Sequence, residues 1–79
     1  MITAREARKN VMAYCNNQID DVLAKISDEI EKASKEGDNA IRIYGHHYGE
    51  AMLRMIVKAC RKKGYKMTSD CYGIIISWK

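Results

Sequence analysis

Apolar side chains fall at Ala4, Ala7, Val11, Cys15, Ile19, Val22, Ile26, Ile30 and Ala33, at intervals of three and four. Only a helix gathers such positions onto one face. Its start is signalled by Thr3 with Glu6 three residues on, the pattern of a capping box, with Ile2 just outside the cap. Asn16-Asn17 interrupts the helix propensity but not the stripe. Ser34-Lys35-Glu36-Gly37-Asp38 supplies a cationic last turn and a glycine stop, so the spacing predicts a helix from about Thr3 to about Lys35. Ala40–Tyr44 then alternates apolar and polar with β-branched residues, the pattern of a strand with one buried face, which Gly45 closes. Helical spacing returns in Tyr48, Met52, Met55, Ile56, Ala59 and Cys60, predicting a second helix from about His46 to Lys62 before Gly64. Tyr65–Thr68 and Ile74–Trp78 read as two further strands, with Ser69–Gly73 as the turn between them.

These elements predict a single α+β domain over residues 1–79, in the order helix, strand, helix, strand, strand. Both helices are expected on one face of a small three-stranded mixed sheet, because a strand-helix-strand crossover leaves its two strands parallel and side by side. A first helix of this length extends about 50 Å, whereas a five-residue strand spans under about 20 Å. The stripe around Val11, Cys15 and Ile19 should therefore overhang the sheet. A kink at Asn16-Asn17 would cover it within one chain, and a homodimer or another protein would cover it between chains.

In 79 residues, 47% are apolar and 30% charged, which fits a folded domain rather than a disordered one. No apolar run approaches the roughly 20 residues of a membrane span and no basic-then-apolar segment opens the chain, so the expected location is cytoplasmic, with no membrane partner. Three cysteines without a CxxC pair argue for reduced thiols. Cys15 and Cys60 lie on the apolar stripes and read as small core side chains. No catalytic nucleophile is assigned, and the chain is not expected to be an enzyme.

The candidate chemistry gathers at Gly45-His46-His47-Tyr48-Gly49-Glu50. A helix beginning near His46 would set His46 and His47 on the faces that carry Glu50. If the first and second strands are parallel neighbours, the loop with His46 and His47 also meets Asp70 and Cys71. His46, His47, Glu50, Asp70 and Cys71 would then offer a mixed nitrogen, oxygen and sulfur set that suits zinc. Cys60 lies about 20 Å further along the second helix and does not join them. A metal-bound water at His46, His47 and Glu50 would make a small hydrolase, a reading disfavoured by the absence of an evident substrate cleft.

The net charge of +4 concentrates in the second half of the chain, where Arg54, Lys58, Arg61 and Lys62, with Lys66 after them, form a basic ridge that is the candidate partner-binding surface. Asp20, Asp21, Asp28, Glu29 and Glu31 make the first helix acidic. No aromatics interleave the ridge, so at most weak nucleic-acid binding is expected, and an acidic protein surface is the favoured partner.

Ile2-Thr3-Ala4-Arg5-Glu6-Ala7-Arg8, Ala40-Ile41-Arg42-Ile43-Tyr44-Gly45, and Gly64-Tyr65-Lys66-Met67 with Ile76-Ser77-Trp78 resemble a class of small proteins in phages and prophages of Gram-positive bacteria. In that class a long charged helix leads to a similar ending. The resemblance implies a phage accessory protein similar to type II-A anti-CRISPR inhibitors, which occupy a surface of the Cas effector nuclease, sometimes with a structural zinc. The implied partner is a host defence nuclease in the cytoplasm of the infected bacterium. This chain departs from the pattern in His46, His47, its three cysteines and its basic charge, which argues against DNA mimicry. A small nucleic-acid-binding regulator using the basic second helix is the alternative.

Overall fold

The structure, a computed structural model, describes residues 1–79 except the side chain of His46. Helix α1 spans Ala4–Lys35, strand β1 Ala40–Tyr44, helix α2 Glu50–Lys62, strand β2 Lys66–Ser69 and strand β3 Gly73–Ser77. Thr3 caps α1 as its sequence predicts, its Oγ1 accepting the Glu6 N–H at 3.1 Å. Gly37, at φ +90°, lets the chain turn so that the Asp38 N–H reaches back to the Ala33 carbonyl at 3.0 Å, and Gly64 ends α2 in the same way. α1 runs unbroken through Asn16-Asn17 and does not fold back. Its 32 residues span about 48 Å, close to the longest dimension of the molecule, which measures 51 × 25 × 20 Å.

The sheet corrects the expected architecture. Strand order is β1-β3-β2 and both pairings are antiparallel, so the sheet is wholly antiparallel and not mixed. β1 and β2 do point the same way, as the crossover through α2 requires, but β3 lies between them. Two features favour that place. The turn from β2 to β3 is only three residues long, which makes those strands hairpin neighbours. The unbroken run Ile74-Ile75-Ile76 is also better covered between two strands than at an edge, where Arg42 of β1 or Lys66 and Thr68 of β2 meet water readily.

Alternation sorts the sheet residues. Ile43, Ile74 and Ile76 are buried beneath the helices with Ile41 and Met67 beside them, while Arg42, Tyr44, Lys66 and Thr68 project from the other face. α1 contributes Cys15, Ile26 and Ile30 to the core, and α2 contributes Met52, Ile56 and Cys60. Trp78 packs edge-on against Tyr65, ring centroids 6.4 Å apart. Among the described residues no helix is long and apolar enough to cross a membrane.

Candidate protein-binding surface

α2 begins at Glu50, four residues later than its sequence predicts. Gly45–His47 instead form one 3₁₀ turn, and Gly49 caps the helix in extended conformation. His47 and Glu50 therefore do not share a helix face. β3 separates β1 from β2, so the parallel pairing expected to bring the zinc ligands together is absent, although Gly45 still meets the β2–β3 turn through its N–H bond to the Tyr72 carbonyl, 3.1 Å long. Asp70 is engaged elsewhere, its Oδ2 at 2.8 Å from Arg42 Nη2 and its Oδ1 accepting the N–H groups of Tyr72 and Gly73, both at 2.9 Å. Glu50 is paired with Arg54 at 2.6 Å, and Cys71 is exposed in the β2–β3 turn. Among the described residues no group of three or more His, Cys, Asp or Glu side chains is placed to hold a metal ion. The side chain of His46 lies outside the described residues. Elemental analysis is the direct check of zinc: a stoichiometric metal lost on changing His46 and His47 to Ala would support it, and metal-free protein would end it.

The turn that holds Asp70 is a compact electrostatic unit. Its carboxyl is held below the ordinary range first by the Tyr72 N–H; partial burial opposes this, and the Gly73 N–H and the Arg42 charge add to the lowering. The Arg42 guanidinium also lies 5.9 Å from the centre of the Tyr72 ring. A lowered folded-state pKa means that stability is present above the unfolded value of about 3.9 and is lost as pH falls through the folded value. Asp70→Asn keeps an oxygen for the two N–H groups but removes the charge. Its melting temperature should fall less steeply than that of the parent below about pH 4, and coincident acid limbs would show that the carboxylate is not stabilised in the fold.

Among the thiols, Cys15 and Cys60 are buried in the core, and burial pushes the Cys60 thiol up, away from the thiolate that nucleophilic chemistry needs.

The basic ridge forms one wall of a trough of about 650 Å³. Arg54, Lys58, Arg61 and Lys62 rim it, and Leu53, Val57 and Ile74 floor it. The helix explains the layering: Met52, Ile56 and Cys60 point into the core, the cations point out, and Leu53 and Val57 lie between on one flank. Of the expected partner-binding residues, Lys66 stands apart, because strand alternation directs it to the opposite sheet face from the neighbouring Met67. Arg54 is answered by Glu50, but both side chains are more than three-quarters exposed, so the pair contributes little. Lys58, Arg61 and Lys62 form no ion pair among the described residues. Leu53 and Ile74 also line a second hollow of about 730 Å³ at the β2–β3 turn, which carries the trough on to Tyr44 and Tyr72. The floor was not evident from the ridge alone, since Ile74 arrives from the far end of the chain. The i, i+4 pair Leu53 and Val57 beside the ridge was its one local signal.

Comparison with known proteins finds no family model, no curated protein and no solved structure that matches the chain. The surface itself therefore has to carry the functional reading.

Proposed function

We propose that this chain is a non-enzymatic binding protein whose α2 trough receives an acidic segment of another protein. The observation that carries this reading is the pairing of an apolar floor, Leu53, Val57 and Ile74, with a rim of four cations. The floor offers desolvated area for an apolar anchor, and the rim steers and orients an acidic partner. Within this reading, the resemblance to small phage proteins makes a host defence nuclease of the Cas effector type the partner to test first, with inhibition by occupancy and not by catalysis. The second reading, a nucleic-acid-binding regulator, draws on Tyr44 and Tyr72, 47% and 65% exposed at the far end of the trough, where bases could stack.

Salt separates the two. Four phosphate contacts on duplex DNA would give a slope of about −3.6 in log affinity against log salt, a loss of about a hundredfold between 50 and 200 mM. A protein partner held by the floor should lose far less. Reversal of Arg54, Lys58 and Arg61 to Glu should weaken a complex with the effector by about tenfold or more, mostly in the association rate. Leu53→Asp should raise the dissociation rate instead. Absence of any complex with an effector nuclease, together with oligonucleotide binding that follows the steep salt slope, would move the assignment to the regulator.

A further inference from the structure

α1 presents a flank on which two features face the same way. Arg5, Lys9 and Met12 recur by threes and fours and continue, through Asn16, into Asp20, Leu23 and Ser27. The first set sits on the part of α1 that projects beyond Cys15, the first buried residue of the helix, with Ile2 just ahead of the Thr3 cap; Ile2 and Met12 are 54% and 46% exposed. The second set forms one wall of a groove of about 460 Å³ between the helices, closed on its other side by Ala59, Cys60, Lys63 and Tyr65.

The charges along α1 are segregated between its two halves. Residues 4–13 carry Arg5, Arg8 and Lys9 against Glu6, a net of +2. Residues 16–31 carry Asp20, Asp21, Asp28, Glu29 and Glu31 against Lys25, a net of −4. The basic start of α1 is therefore complementary to an acidic partner surface. The acidic half of a second α1, laid antiparallel, supplies one. A parallel copy would set like charge on like.

We propose that two copies of this chain associate by laying the projecting start of each α1, antiparallel, into the interhelical groove of the other. Opposing Lys9 to the second copy's Asp20 places the two-fold axis between Tyr14 and Cys15. Ile2 then enters near Ser27, Arg5 near Leu23 and Ala24, and Glu6 faces the wall that carries Lys63. The contact is isologous, so each pairing occurs twice and the assembly closes at two. It leaves the α2 trough free and does not depend on the function proposed for it.

Sedimentation equilibrium over a concentration series should show a monomer–dimer equilibrium that weakens with salt. Lys9→Asp and Asp20→Lys each place like charges together at both ends of the contact and should each raise the dimer dissociation constant about tenfold. The double variant exchanges the charges and should return it to the parent value. All three positions of attack, Lys9, Asp20 and the half-buried Leu23, lie outside the core cluster, so circular dichroism should stay unchanged while Leu23→Glu abolishes the dimer. A monomer's mass at every concentration would overturn the proposal and leave the groove to a different protein. Failure of the charge exchange to restore what the single reversals lose would overturn it equally, as would a dimer strengthened by Lys9→Asp.

Discussion

Ile76→Ala should cost about 3–4 kcal/mol, as expected for removing three carbons from a site that cannot collapse. Ile76 is fully buried in the central strand, paired with Ile41 on one side and Met67 on the other, and belongs to one core cluster with Ile56, the other fully buried side chain. A domain of this size holds roughly 4–12 kcal/mol in total, so the variant should lose about a quarter of its stability at least. Urea denaturation reads this as a midpoint lowered by about 1–4 M at the slopes usual for small domains. Ile75→Ala is the internal control. It deletes the same atoms one residue away on the other sheet face, where Ile75 is only half-buried, and should cost markedly less. Equal costs for the two would contradict the alternation on which the core rests.

The second large effect is expected at a residue with no side chain. Gly73 lies opposite Tyr44 at the end of the β1–β3 ladder. A Cβ there would overlap the Ile43 carbonyl oxygen and approach the Gly45 nitrogen to 2.9 Å. Both obstacles are backbone and cannot swing aside, so Gly73→Ala must push the end of β1 away from β3. The Gly45 N–H bond to the Tyr72 carbonyl, 3.1 Å long, should go with it. A cost of about 3 kcal/mol is expected, at the upper end for overpacking, which for a domain of this length lowers the melting temperature by roughly 15 °C. Gly49, whose added Cβ meets nothing within 4 Å, provides the contrast. A Gly73→Ala protein that melts with the parent, and whose Gly45 amide stays protected from exchange, would show that β1 pairs differently.

Much of this fold was legible along the chain because its signals are local. The Thr3–Glu6 cap, the glycine stop at Gly37 and the stripe between them define α1 without reference to anything distant. The order of elements was legible for the same reason. Strand pairing was not, because the partner of β1 is chosen by contacts some thirty residues away. The clue that was present is the short turn between the last two strands, which makes them hairpin neighbours and leaves the other edge of β3 free for β1. His46 and His47 were misplaced by a smaller effect: the glycines on either side of 46–48, Gly45 and Gly49, leave room for a 3₁₀ turn before the helix, and periodicity cannot distinguish the two over three residues. The cationic rim of the trough was readable from spacing on one helix. Its apolar floor needed the third dimension.

A central strand that comes last in chain order has a kinetic corollary. Tyr44 and Gly73, the nearest β1–β3 partners in sequence, are 29 residues apart, and Ala40 and Ser77 are 37 apart. Until residues 73–77 arrive, β1 and β2 stand across a gap of roughly 9.6 Å, two strand spacings, too wide to hydrogen-bond directly. The helices can form early from local contacts, but no two-stranded precursor containing β1 is available to template the rest, and loop closure must precede the first rung. The edges of β1 and, once it is made, β2 thus stay unsatisfied until the isoleucine strand arrives as the late, cooperative step that hides both at once.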